Sequence, residues 1–101
     1  MAIGMTAPSI LKTGSTISFG AASASVAIPT DLSGNPPNFV RVASTGPCYV
    51  KVGAASVTAA AGDLLVQPAD SAILMVRGCV NIAAIQVSAA GILEVSPLEN
   101  L

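Results

Sequence analysis

Residues that carry most enzyme chemistry are scarce in this chain. It contains no His, and its five acidic and four basic residues stand singly rather than in clusters. General acid–base catalysis near neutral pH usually relies on His, or on crowded carboxylates and lysines with shifted pKa values. Ser and Thr are abundant, but they have no His base and no Gly-x-Ser-x-Gly motif. We therefore predict that the chain is not an enzyme and has no catalytic residues.

The closest pair of carboxylates is Asp63 and Asp70, on either side of Gln67-Pro68. Two such groups can flank a glycosidic bond or help to hold calcium. They can also be turn residues that bound a strand over residues 64–67, because Asp is favoured in turns. We favour the turn interpretation and predict no metal site and no cofactor.

Two cysteines, Cys48 and Cys79, are too few for a disulfide framework. The chain also lacks the further Cys and His ligands that a zinc site requires. We interpret both as reduced, buried, small apolar residues. A single disulfide between them is the alternative.

Charge is the unusual feature of the composition. Charged residues make up 9% of the chain, against about 25% in soluble domains. Such a surface has little repulsion to keep copies apart, so we predict that much of it is buried in an assembly. Four isolated basic residues form no patch for nucleic acid, and no apolar run reaches the ~18 residues of a membrane-spanning helix.

Short β-favouring runs, separated by Gly, Pro, Asn and Asp, fill most of the chain and predict an all-β fold. We predict a single antiparallel β-sandwich, jelly-roll-like, of about eight short strands. Residues 1–14 form an N-terminal arm, 15–97 the sandwich and 98–101 a tail. The predicted strands are 16–19, 23–28, 39–44, 48–52, 56–59, 64–67, 72–77, 80–88 and 92–96, with a helical turn at 59–61.

Two of the connections predict β-hairpins. Residues 39–44 and 48–52 flank Thr45-Gly46-Pro47, and residues 80–88 and 92–96 flank Ala89-Ala90-Gly91. The first hairpin places Arg41 near Lys51, where both can bind acidic groups of a partner or keep an edge soluble.

Several apolar or aromatic side chains can be assigned to core or surface positions of the predicted fold. Phe19 and Phe39 fit core positions. Tyr49 lies on the polar face of its strand, either as a cover residue in a cross-strand pair or as an exposed binding residue. The run 72–76 is apolar on both faces, which is typical of a central strand or of one whose outer face meets a partner.

Part of the chain resembles small virion proteins of tailed bacteriophages. The likeness covers residues 39–97 and consists of strand and turn patterns. It rests on Cys48-Tyr49-Val50-Lys51-Val52-Gly53, Val57-Thr58-Ala59, Asp63-Leu64-Leu65-Val66, Val80-Asn81-Ile82-Ala83-Ala84-Ile85 and Gly91-Ile92-Leu93-Glu94-Val95. Asn81 stands where a His commonly precedes Ile-Ala-Ala-Ile in that pattern, so no role of such a His is carried over.

Many proteins of this kind are head-decoration (cement) proteins. The resemblance thus implies a structural protein on the virion capsid surface, assembled in the host cytoplasm, that binds across neighbouring major capsid protein subunits. We expect a homo-oligomer, either a trimer or a dimer, with no nucleic acid, membrane or small-molecule substrate as partner. The alternatives are a head–tail connector, neck or fibre component, and a carbohydrate-binding module that uses Tyr49. The expected interface residues are Ile3, Met5, Ile10, Leu11, Arg41, Tyr49, Lys51, Ile73, Met75, Leu98 and Leu101.

Overall fold

A computed structural model describes residues 9–99 of the chain. Within this range the chain forms eight β-strands and no helix. Their bounds are β1 Ser15–Phe19, β2 Ala24–Ala27, β3 Phe39–Ser44, β4 Cys48–Gly53, β5 Leu64–Val66, β6 Ala72–Met75, β7 Asn81–Gln86 and β8 Gly91–Pro97.

The strands form two four-stranded sheets. Sheet A has the order β1-β8-β3-β6 and sheet B the order β2-β7-β4-β5, with all neighbours antiparallel. Every connection except that between β4 and β5 passes to the opposite sheet. The predicted all-β sandwich is therefore confirmed.

Both predicted hairpins are wrong, because their strands lie in different sheets. β3 pairs with β6 and β8, whereas β4 pairs with β5 and β7. Likewise, β7 belongs to sheet B and β8 to sheet A. Period-two alternation shows which residues face the core, but a strand stacked across the core has the same alternation as one paired beside it.

The segment between β4 and β5 also differs from its prediction. It forms neither the strand at 56–59 nor the helical turn at 59–61. Instead, the Ala59 N–H donates to Ser23 Oγ at 2.9 Å, and the Ala60 N–H donates to Asp63 Oδ2 at 2.8 Å. Gly62 supplies the positive φ of 99° that lets the chain turn into β5.

The core lies between the inner faces of the two sheets. Alternate residues of β1, β3, β4 and β8 point into it, in agreement with their alternation in the sequence. Each fully buried aliphatic side chain contributes about 1.5–3 kcal/mol to stability. The core cluster consists of Ile17, Phe19, Val40, Val42, Cys48, Val50, Val66, Val76, Ile82, Ala84, Leu93 and Val95.

Candidate interaction surface

Strand β6 forms one edge of sheet A, and among residues 9–99 its only neighbouring strand is β3. Its outer-face side chains, Ile73 and Met75, are 55% and 59% exposed. In the register with β3, Met75 lies opposite Phe39 and Ile73 opposite Arg41. Phe39, which is 38% exposed, thus extends the apolar surface inward from the edge. Its predicted core position is wrong, because it lies on the outer face of sheet A near that edge.

Along this edge the backbone of β6 has hydrogen-bonding groups that no strand of the described range pairs with. The Val76 N–H donates to the Asn38 carbonyl at 2.8 Å, in register with the β3–β6 pairing. Because these groups alternate in direction along an antiparallel strand, those of Leu74 face β3 while those of Ile73 and Met75 face away. Edges of this kind are usually protected by Lys, Pro or a bulge, and β6 contains neither Lys nor Pro.

Strand β5 forms the corresponding edge of sheet B, on the same side of the sandwich. It packs on β3 across the core, and a tight turn with a Gln67–Asp70 bridge leads from it towards β6. Leu64 and Leu65 of this strand are both exposed. We call Leu64, Leu65, Ile73 and Met75 together the β5–β6 side.

A second exposed apolar region lies where the two ends of the described chain meet. The Glu99 N–H donates to the Ser9 carbonyl at 2.9 Å, and Glu99 Oε2 accepts from the Leu32 N–H at 2.9 Å. Lys12 Nζ donates to Thr30 Oγ1 at 2.6 Å, and this bond connects the arm to the loop that contains Leu32. We call this region, whose exposed apolar side chains are Ile10, Leu11 and Leu32, the terminal end.

Some predicted interface residues fall in these regions and others do not. Ile73 and Met75 lie on the β5–β6 side, and Ile10 and Leu11 at the terminal end. Ile3, Met5 and Leu101 lie outside the described residues. Leu98 was predicted to be an interface residue in the tail, but it is only 6% exposed and its N–H donates to the Phe39 carbonyl. A buried residue therefore continues β8 at this position.

The polar members of the predicted set are separated by the fold. Arg41 lies on sheet A between Ile73 and Ser96, whereas Lys51 lies on sheet B beside Ala83. Their predicted proximity is wrong, because the hairpin that implied it does not form. The two side chains therefore do not act together.

Tyr49 occupies a cross-strand position in sheet B. It is half-buried and stands between Leu65 of β5 and Ile85 of β7. Aromatic side chains in such positions stabilise a sheet by packing against their cross-strand neighbours. Tyr49 is thus in the position of a cover residue and not of a free stacking platform.

The carboxylate pair behaves as two turn residues. Asp63 accepts the Ala60 N–H within its turn, and the Asp70 N–H donates to the Gln67 carbonyl at 3.0 Å. Among residues 9–99, no group of three or more His, Cys, Asp or Glu side chains is placed to hold a metal ion. The same range contains no helix long and apolar enough to span a membrane.

Both cysteines are free thiols; Cys48 lies in the core and Cys79 is half-buried. Burial raises the pKa of the Cys48 thiol, and the nearby Ser44 hydroxyl partly offsets the increase. The two groups do not reach good hydrogen-bond geometry, since the buried Ser44 Oγ has no hydrogen-bond partner among the described residues. Cys48 is therefore a protonated thiol beside the Ser44 hydroxyl, which has no hydrogen-bond partner among the described residues.

Two shallow grooves on the outer face of sheet A meet at Thr16 and Glu94. One, of about 280 Å³, separates the arm from β8 and is bordered by Ile10; the other, of about 420 Å³, is bordered by Ile92. Both are open and carry few charged groups. Their shape suits contact with another surface better than the enclosure of a small ligand.

Sequence reasoning missed Leu32, Leu64 and Leu65 as exposed residues. The pair Leu64-Leu65 contained a usable signal, because adjacent residues of a strand point to opposite faces and one of them must point away from the core. Leu32 follows Asp31 in a polar turn, and no periodic pattern covers it.

Comparisons with known proteins identify no relative of this chain: no protein family, no curated protein and no solved structure matches it.

Proposed function

We propose that the chain is a structural virion protein that decorates a bacteriophage capsid and stabilises it by binding across neighbouring major capsid protein subunits. The observation that carries the proposal is the terminal end, where Leu11 and Leu32 are 62% and 60% exposed on a hydrogen-bonded framework. The hydrogen bond between Ser9 and Glu99 joins the two ends of the described range in this region.

Scarcity of charge supports a role in packing against other protein. Interface cores are depleted in charged residues, because each buried charge must be desolvated and paired. A protein that binds only the assembled shell shifts the equilibrium towards assembly by mass action. Such a function needs shape and apolar contact and requires no reactive group.

Topology gives further support. We propose that the sandwich is of jelly-roll type, since two four-stranded sheets whose connections almost all cross between them are typical of that fold. Jelly rolls are common among viral capsid domains. The fold alone does not determine function, so the sequence resemblance over residues 39–97 remains part of the support.

The test is decoration of empty phage heads by the purified 101-residue chain. We expect the wild type to bind in numbers comparable to the major capsid protein, and Leu11→Ser with Leu32→Ser to reduce occupancy roughly tenfold or more, as expected when interface anchors are removed. Val87→Ser is the matched control, because Val87 is also exposed but lies at the opposite end of the sandwich, where its N–H donates to the Pro47 carbonyl.

Undiminished occupancy of the double variant would overturn the assignment of the terminal end. Copy number in purified virions separates cement from the alternative of a connector, neck or fibre component, which is present in few copies. Absence of binding to heads, with the protein found only at the neck or fibres, would overturn the proposal of decoration.

A further inference from the structure

We infer that the chain forms a twofold dimer in which the β6 strands of two copies pair antiparallel and join their A sheets into one continuous eight-stranded sheet. The inference goes beyond the proposed function and concerns the homo-oligomer that the sequence analysis expects. It does not depend on which particle the protein decorates. It also selects the dimer from the two oligomers that the sequence left open.

Backbone geometry defines the register of this pairing. The outward-facing hydrogen-bonding groups of β6 belong to Ile73 and Met75, as shown above from the Val76–Asn38 bond. An antiparallel pair centred on Leu74 sets Ile73 of each copy opposite Met75 of the other. Both residues of each such pair then exchange N–H···O bonds, so every outward group of the two residues is satisfied.

Side chains fit the same register. Residues directly opposite each other in an antiparallel pair point to the same face. Ile73 of one copy therefore contacts Met75 of the other on the outer face of sheet A. Together with the two copies of Phe39, they form a continuous apolar surface across the twofold axis, where each monomer alone exposes half.

Charges at the ends of β6 are complementary in this arrangement. Asp70 precedes the strand and Arg77 follows it. In the register centred on Leu74, the turn that contains Arg77 in one copy comes close to Asp70 and Ser71 of the other. The twofold axis produces this contact twice, and opposite charges across an interface favour the correct register over others.

A second copy suits this edge better than an unrelated strand does. The pairing is isologous, so it closes as a dimer and leaves no further β6 edge to extend. It also brings the two β5 edges, with Leu64 and Leu65, towards each other. A foreign strand would satisfy the backbone, but nothing in its sequence would be required to match both the apolar pair and the flanking charges.

The experiment is sedimentation velocity of the full chain over a range of concentrations. We expect a monomer–dimer equilibrium, and we expect Ile73→Lys to raise the dissociation constant roughly tenfold or more, because it places an unpaired charge in the interface. Val80→Lys is the matched control: Val80 and Ile73 are both 55% exposed, and only Ile73 lies on β6.

Charge reversal tests the register. Asp70→Arg and Arg77→Asp should each weaken the dimer, and the double variant should restore it. A wild type that remains monomeric, a trimer, equal effects of Ile73→Lys and Val80→Lys, or failure of the double reversal to restore dimerisation would overturn the inference.

Failure of dimerisation can be told apart from failure of the proposed function. Head decoration by the dimer-deficient Ile73→Lys protein, at concentrations where the wild type decorates, would leave the function in place and confine the dimer to solution. Loss of decoration in Leu11→Ser with Leu32→Ser, while dimerisation persists, would show that two surfaces serve two contacts.

Discussion

The two open sides of the sandwich differ in what they expose. On one side the edge strands are β1 and β2, which pack against each other; we call this the β1–β2 side. Its exposed strand residues are Thr16, Ser18, Ser25 and Ala27. On the β5–β6 side the exposed residues are Leu64, Leu65, Ile73 and Met75.

This difference indicates which of the two sides favours burial of its side chains. Both sides end in edge strands with unpaired backbone groups, so the backbone alone does not distinguish them. The small side chains exposed on the β1–β2 side, most of them hydroxyl-bearing, are compatible with contact to water. The large apolar side chains exposed on the β5–β6 side favour burial. Of these two sides, the β5–β6 side therefore carries the large exposed apolar side chains, and it is the side of the dimer that we infer.

The largest expected effect compares the same residue type on the two sides. Ile17 of β1 is 2% exposed and Ile73 of β6 is 55% exposed. Ile17→Ala should lower the free energy of unfolding by about 2–5 kcal/mol, because it opens a cavity in the core. Ile73→Ala should change it by at most about 0.5 kcal/mol in the dilute monomer, as expected at a surface position.

Chemical denaturation at low protein concentration measures both values. A large loss of stability in Ile73→Ala would mean that this side chain supports the fold of the monomer, and the contrast between the two sides would fail.

The next effect concerns the start of β1. A Cβ at Gly14 would collide with the Val95 carbonyl oxygen, whereas a Cβ at Gly20, at the other end of β1, has no atom within 4 Å. Gly14→Ala should therefore destabilise the protein by about 1–3 kcal/mol through overpacking. Gly20→Ala is the control and should leave the thermal midpoint nearly unchanged; equal shifts in the two variants would show that the arm does not pack closely on β8.

A smaller effect is expected in the core beneath both sides. Ser44 Oγ is buried without a hydrogen-bond partner among the described residues, and an unsatisfied hydroxyl costs about 1–3 kcal/mol. Ser44→Ala should raise the free energy of unfolding by up to about 1 kcal/mol, since part of the gain is lost with the packing of the oxygen. Destabilisation by this change would indicate that the hydroxyl has a partner in solution.

The smallest effect is a dependence of stability on pH. Burial raises the pKa of the Cys48 thiol above its ordinary value of 9.0. The thiol is then more readily ionised in the unfolded chain, so its contribution to stability is fully present below pH 9.0 and is lost as the pH rises through the folded pKa.

Cys48→Ala should reduce this alkaline loss of stability, and Cys79→Ala serves as the comparison outside the core cluster. Urea denaturation at a series of alkaline pH values measures the slopes. An unchanged slope in Cys48→Ala would assign the loss to another group.

Sequence alone predicted the β-sandwich and a strand at each of the eight observed positions, but it also predicted a strand at 56–59 that does not form. Val40 and Val42 are two residues apart in β3, as are Cys48 and Val50 in β4. Each pair therefore shares one face of its strand, and that face is buried. It did not predict the pairing, because Thr45-Gly46-Pro47 reverses the chain in the same way whether the next strand lies beside β3 or across the core. Sheet order depends on long-range contacts that a local pattern does not contain.

The candidate surface was predictable only in part. The run apolar on both faces predicted either a central strand or one whose outer face meets a partner, and the structure exposes Ile73 and Met75 on an edge strand. Phe39 was wrongly assigned to the core, although period-two alternation places it on the face of Arg41 and opposite to the buried Val40 and Val42. Leu98 was assigned to a tail because its hydrogen bond to Phe39 joins residues distant in the sequence.

Amide hydrogen exchange across a range of protein concentrations tests most directly whether the β5–β6 side is the contact surface. On β6 the amides that face away from the sheet are those of Ile73 and Met75. On β2 the Ile28 N–H donates to the Val80 carbonyl, so alternate residues face β7 and the amides of Ser25 and Ala27 face away from it. We predict that exchange at Ile73 and Met75 slows as concentration rises, while exchange at Ser25 and Ala27 stays the same. Protection that grows at β2 and not at β6 would contradict the account.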